Sequence, residues 1–145
     1  MILGTSILVV DDDTEVRKTL FSILNEEGYS VETAENGKQA IKACERLSFD
    51  VALIDIEVPD MKGTELLERL KWKHPKMVKI VITGDPSLDN AIGAINEGAE
   101  GYILKPFDVQ ELLQVIKKHL DEKTAEQIRS WAENSQTQRE RTRLY

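Results

Sequence analysis

Five short apolar runs, each separated from the next by a segment of helical periodicity, limit what this chain can fold into more than any other feature. They lie at residues 7–10, 29–33, 51–54, 78–82 and 102–104. Strands that alternate with helices predict βα units and a parallel sheet. The first and third runs are apolar at every position, as strands covered on both faces are. The second alternates apolar with polar residues, which suits an edge. The fifth is short enough for the opposite edge. Order 2-1-3-4-5 puts both weaker strands outside, and it is the flavodoxin-like order of a doubly wound five-stranded α/β sheet.

The helical segments are punctuated. Asp12 or Asp13 can cap the first, with Val16, Leu20, Ile23 and Leu24 inward and Gly28 beyond its end. Asn36 caps the second, with Ala40, Ile41, Cys44 and Leu47 inward. Thr64 opens the third, with Leu66, Leu67 and Leu70 inward. Ser87 caps the fourth, with Ala91, Ile92 and Ile95 inward and Gly98 as its stop. Asp108 caps the fifth, with Leu112, Leu113, Ile116 and Leu120 inward. The βα units fill residues 5 to about 120, which predicts one domain over 1–121.

Residues 122–145 differ. They are polar and contain neither Gly nor Pro. The spacing of Leu113, Ile116, Leu120, Ile128 and Trp131 predicts that the fifth helix continues to about Trp131 as an amphipathic rod. The rival expectation is a helix that frays after Leu120 into a linker toward an output module. From Asn134 onward, where no apolar anchor is present, the expectation is a linker or disorder.

Bulk properties exclude several function classes. The chain has 145 residues, 41% hydrophobic and 31% charged, which is an ordinary globular balance. A net charge of −7 argues against direct binding of nucleic acid. The single cysteine, Cys44, cannot form an internal disulfide and points to a reducing, cytoplasmic setting. No segment reads as a signal peptide or membrane span.

In an open parallel sheet, ligands sit at the carboxyl ends of the strands, at the switch point between the first and third. Here those ends carry Asp11-Asp12, Asp55, Thr83 and Lys105, while the outlying second strand ends in Ala34-Glu35-Asn36 with no evident site residue. Carboxylates gathered in one crevice repel one another unless a cation intervenes. Mg²⁺ suits an oxygen-only site. A hydroxyl and an ammonium beside it suit phosphoryl oxygens.

The motifs Val9-Val10-Asp11-Asp12, Asp55 with Pro59 and Gly63 downstream, Ile82-Thr83-Gly84, and Gly101-Tyr102-Ile103-Leu104-Lys105-Pro106-Phe107 occur in that order. With these motifs the chain resembles a response-regulator receiver domain over residues 5 to about 120. The resemblance implies that Asp55 accepts a phosphoryl group from a histidine kinase or phosphotransfer protein. It makes Asp12 and Asp55 direct Mg²⁺ ligands, Asp11 a water-mediated one, and the Glu57 backbone carbonyl a third protein ligand. Lys105 and Thr83 would hold phosphoryl oxygens. Tyr102 would move with Thr83 and change the face formed by the fourth helix, fifth strand and fifth helix. The Lys105-Pro106 bond is expected to be cis. Side chains at Glu57 and Asp85 would tune a slow self-hydrolysis. The product is a phosphorylation-controlled switch rather than an enzyme, acting on an output module or through a homodimer.

One alternative is an aspartate-nucleophile phosphohydrolase of the haloacid dehalogenase type. Asp11-Asp12-Asp13-Thr14 fits its D-x-D-x-T opening, with Asp11 and Asp13 as the acids, and Gly84-Asp85 followed by Asp89 mimics its acidic motif. Lys105 then stands on the wrong side of that motif, and Asp55 has no role.

Overall fold

The computed structural model describes residues 4–85, 87, 93, 94, 96 and 98–144, with only the backbone for 137–144. Its described elements are β1 (Ser6–Val10), α1 (Thr14–Glu26), β2 (Ser30–Ala34), α2 (Gly37–Arg46), β3 (Val51–Asp55), α3 (Gly63–Lys73), β4 (Val78–Thr83), β5 (Gly101–Leu104) and α4 (Val109–Leu144). The strands form one parallel sheet in the order β2-β1-β3-β4-β5. Strands β3 and β4 are buried along their whole length, because helices cover both faces.

Alternation along each strand builds two cores. Leu8, Val10, Ala52, Ile54 and Val81 face one way, toward Ala40 and Cys44 of α2 and Leu66, Leu67 and Leu70 of α3. Ile7, Val9, Leu53, Ile80 and Ile82 face the other way, toward Leu20 and Leu24 of α1 and Leu112 and Ile116 of α4. With the sheet clamped from both sides, the loops at its carboxyl edge have fixed points of departure.

Local chemistry sets the helix boundaries. Asp13 caps α1, its side chain accepting from the N–H groups of Glu15 and Val16. Asn36 caps α2 by accepting from the N–H of Gln39 at 2.9 Å. Asp108 accepts from the Gln110 N–H at 2.7 Å at the start of α4. Gly28 follows α1 at φ +95°, a left-handed conformation that a side chain would strain.

Several expectations need correction. Helix α3 begins at Gly63 rather than Thr64, with Lys62 at a cap position that makes no side-chain capping bond. Leu47 is exposed rather than inward, because it stands at the C-cap of α2 in extended conformation. In the fourth helical segment, Ala91, Ile92 and Ile95 lie outside the described residues. Ala94 there is helical and buried.

The largest correction concerns the tail. Helix α4 ends neither near Leu120 nor at Trp131 but runs unbroken to Leu144. Past Asn134 the chain has no Gly or Pro to stop it, and the Gln, Glu and Arg residues there are good helix formers. A lack of apolar anchors removes packing, but it does not break a helix already propagating from a packed one.

Candidate functional site

The carboxyl ends of β1 and β3 lie side by side, so the residues that follow them share one crevice. Asp11 comes directly after β1 and is buried. Its backbone N–H donates to Ala34 O at 3.1 Å, and its Oδ1 accepts from the Asp13 N–H at 2.9 Å. Asp55 is the last residue of β3, also buried, and its Oδ1 accepts from the Glu57 N–H at 2.9 Å. In each carboxylate one oxygen is thus held by the chain two residues on. Asp12 is exposed at the rim, as is Glu57.

Lys105 joins the pair. Its Nζ lies 2.8 Å from Asp11 Oδ2 and 2.9 Å from Asp55 Oδ2. The backbone delivers it there: the Lys105 N–H donates to Thr83 O at 2.8 Å, extending the β4–β5 ladder by one step, and the Lys105–Pro106 peptide is cis. Thr83 ends β4 with no exposed surface, and its Oγ1 accepts from the Asp85 N–H at 3.1 Å. The Tyr102 hydroxyl donates to Asp85 O at 3.1 Å. Asp85 therefore links Thr83 to Tyr102.

Burial pushes the Asp11 carboxyl above its ordinary value, aided by the Asp55 charge, against the opposing pull of Lys105 and the Asp13 N–H. Burial alone would lower the Lys105 ammonium. The hydrogen bonds and charges of Asp11 and Asp55 outweigh it, and the net shift is upward. A half-buried cation between two buried carboxylates offsets the cost of holding their charges away from water. Asp11, Asp12 and Asp55 each offer an oxygen within 4.8 Å of the others. An all-oxygen, all-carboxylate donor set of this spread fits a hard divalent cation such as Mg²⁺.

The loop after Asp55 is tied to its surroundings. Asp60 accepts from the N–H groups of Gly37 and Lys38 at 2.8 and 3.0 Å, at the start of α2. Slight desolvation works against the Asp60 charge, but those N–H groups hold its carboxyl below the ordinary range. A side chain at Gly63 would collide with the Ile56 carbonyl, so the loop closes tightly only over glycine.

Every strand-end group singled out from sequence lies at this edge. Asp11, Asp55 and Lys105 touch directly, and Thr83 stands on the adjoining strand. Asp13 instead caps α1 with the oxygen that accepts from Glu15 and Val16, which gives it a structural task. Sequence reasoning missed Arg17. Its Nη1 donates to Asp11 O at 2.8 Å, and its Nη2 lies 3.5 Å from Glu35. An arginine one turn into the helix that follows an acidic pair was the available signal.

A family model described as the response regulator receiver domain matches residues 7–117. The DNA-binding transcriptional regulator NtrC of Escherichia coli strain K12 is 37% identical over 110 residues, 76% of this chain and 24% of that protein. The probable transcriptional regulatory protein TcrX of Mycobacterium tuberculosis is 31% identical over 108 residues, 74% of this chain and 46% of that one. Among solved structures, a CheY-like response regulator receiver domain protein of Methanospirillum hungatei JF-1 superposes with a TM-score of 0.83 at 44% identity, over 86% of this chain and 99% of that one. The beryllofluoride-activated NtrC4 receiver domain dimer superposes with a TM-score of 0.77 at 39% identity, over 81% and 98%. The chain spans about a quarter of the length of the NtrC relatives it matches.

Proposed function

The chain belongs to the response regulator receiver family, and we propose that within this phosphoacceptor signalling domain Asp55 is the residue that takes the phosphoryl group. The phosphohydrolase alternative built on Asp11 and Asp13 is set aside, because the family match leaves it no support and Asp13 is engaged as a helix cap.

One observation carries the assignment: the Lys105 ammonium within 3 Å of both buried carboxylates. Asp55 Oδ2 attacks the phosphorus of a phosphohistidine on a partner kinase or phosphotransfer protein. An O–P bond forms, the N–P bond breaks, and the histidine leaves with the electron pair. Phosphoryl transfer needs positioning and charge neutralisation above all. Lys105 supplies a compact positive charge to one phosphoryl oxygen. The Thr83 hydroxyl donates to another. Asp11, Asp12, Asp55 and the Glu57 carbonyl would hold Mg²⁺, which supplies further charge neutralisation when bound. Slow hydrolysis of the acyl phosphate resets the domain, with Glu57 and Asp85 tuning its rate.

Residues 1–121 form the receiver in this account. Residues 122–145 are a helical extension that self-associates or relays the change to an output module. The site of action is the cytoplasm. No described helix is long and apolar enough to cross a membrane. The partners are thus a histidine kinase or phosphotransfer protein, an output domain and a second copy, with no direct contact to nucleic acid.

The test is labelling with acetyl phosphate, with and without Mg²⁺, followed by mapping of the modified residue. Labelling at Asp55 that EDTA abolishes is expected. Undiminished labelling of Asp55→Asn would overturn the assignment.

A further inference from the structure

Strand β2 lies outside the crevice and supplies no ligand to it, yet the turn after it, residues 34–38, touches both loops that do. The first of these is Asp11–Asp13. The Asp11 N–H donates to Ala34 O at 3.1 Å. On the other side of the same residue, Arg17 Nη1 donates to Asp11 O at 2.8 Å. Arg17 Nη2 donates to Thr14 Oγ1 at 3.2 Å and lies 3.5 Å from Glu35 Oε1. The Arg17 side chain is 12% exposed, so its guanidinium is held by the chain more than by water. The carbonyl that it grips belongs to the peptide joining Asp11 to Asp12. A peptide is planar, so fixing its carbonyl also fixes the direction in which Asp12 leaves the loop.

The second loop is 56–62. Asp60 reaches from it to the start of α2, where it accepts from the N–H groups of Gly37 and Lys38 at 2.8 and 3.0 Å. Those are first-turn donors with no partner inside the helix, and they favour a negative charge. Asn36 does not take them, because its side chain accepts from Gln39. Met61 packs on Gly37 so closely that a side chain there would meet its sulfur. At its other end the loop is held by the Glu57 N–H, which donates to Asp55 Oδ1 at 2.9 Å. The stretch that carries the Glu57 carbonyl is thus fixed on both sides.

We propose that residues 34–38, together with Arg17 and Asp60, form a brace that positions the metal ligands. Arg17 acts on Asp12, and Asp60 acts on the Glu57 carbonyl. Both are positioning residues, since neither belongs to the ligand set. Groups that orient metal ligands from behind change affinity about 10–100-fold when removed. The reason is that a braced site does not have to order its ligands as the cation enters. The ties differ in strength. The contact from Arg17 to Glu35 is long and Glu35 is exposed, so it adds little. The two bonds to Asp60 are charge-assisted and short, the stronger kind.

The brace presupposes the ligand set proposed above for Mg²⁺, and a titration of Mg²⁺ into the full chain separates the two. Heat and the amide resonances of residues 11–13 and 55–57 are followed together. In the parent protein, saturable binding with shifts at those amides is expected. No binding there overturns the metal site and the brace with it. Arg17→Ala and Asp60→Ala should each weaken Mg²⁺ about tenfold. Arg17→Lys still offers a donor to the Asp11 carbonyl and should recover part of the loss. Asp60→Asn keeps an acceptor for one of the two N–H groups and should fall between the parent and Asp60→Ala. These two conservative variants carry the comparison if an alanine variant does not fold. Urea midpoints in EDTA report stability separately. A fall in those midpoints with parent-like Mg²⁺ affinity of the folded protein means that Arg17 and Asp60 only stabilise the fold. That result overturns the brace and leaves the metal site standing.

Discussion

The Tyr102 hydroxyl donates a hydrogen bond of 3.1 Å to the backbone carbonyl of Asp85. The same Asp85 donates its N–H to Thr83 Oγ1 at 3.1 Å. Burial and the nearby Asp85 charge hold the Tyr102 phenol above its ordinary value, so it stays a donor at neutral pH. A Thr83 hydroxyl that turns toward a phosphoryl group at Asp55 withdraws the acceptor from Asp85, and the Tyr102 bond loses its anchor. We predict that beryllofluoride shifts the Asp85 amide and the Tyr102 ring resonances together. In Thr83→Ala the metal-site shifts should remain and the Tyr102 shift should vanish. A Tyr102 shift of full size in that variant sinks the linkage.

The Lys105 ammonium bridges the carboxylates of Asp11 and Asp55. Its removal leaves two buried carboxylates facing one another. Lys105→Met should destabilise the metal-free protein by about 1–3 kcal/mol, the range for a buried charged group that loses its partner. Mg²⁺ should recover more stability in the variant than in the parent, because ligand binding to the folded state adds stability by mass action. Urea denaturation with and without Mg²⁺ measures both. Equal Mg²⁺ stabilisation of the two proteins contradicts the prediction.

The sheet was legible because β1 and β3 leave no doubt about their surroundings. A strand such as Ile7-Leu8-Val9-Val10, apolar at each position, fits only between two helical layers. The site was legible for a topological reason: a parallel sheet aligns all carboxyl ends, so Asp11, Asp55, Thr83 and Lys105 converge whatever lies between them. Three things were not legible. Arg17 serves the site through a backbone carbonyl, a contact that spacing alone does not announce. The end of α4 had no stop signal, and polar composition looked like a linker where the chain is helical to Leu144. Lys79 lies inside an apolar run, and its partner Glu100 is 21 residues away, beyond the reach of any local pattern.

Cys44 is buried on α2, and burial pushes its thiol from 9.0 up to about 11. It should therefore remain a neutral thiol at neutral pH and react with iodoacetamide only when the domain opens. The pH dependence follows from linkage. Between about 9 and 11 the folded thiol keeps a proton that the unfolded one has released. Stability from this group is complete below that window and declines as pH rises through it. Comparing the parent with Cys44→Ala isolates the thiol from the tyrosines and lysines that titrate nearby. Parallel stability curves across the window would falsify this assignment.

Lys79 is 1% exposed near the start of β4, and it is clasped to Glu100 from both sides. The Lys79 Nζ donates to Met77 O at 2.8 Å and lies 3.5 Å from Glu100 Oε1. The Lys79 N–H donates to Glu100 Oε2 at 2.6 Å, and the Glu100 N–H returns a bond to Lys79 O at 2.8 Å. Breaking one partner of such a pair and removing the charge altogether are different experiments. Glu100→Gln keeps an acceptor for the backbone N–H but leaves the ammonium without a counter-charge, and should cost about 1–3 kcal/mol. That is below the full range for a wholly buried pair, because Glu100 is partly exposed and water screens it. Lys79→Met removes the charge and fills the same space with a flexible apolar chain, and should be neutral or stabilising. The double variant should then be no worse than Lys79→Met alone, since Glu100→Gln does its damage only through the ammonium. Urea midpoints of the four proteins decide it. A Lys79→Met variant less stable than Glu100→Gln would mean that the ammonium stabilises the sheet on balance, and that the clasp is more than compensation for a buried charge.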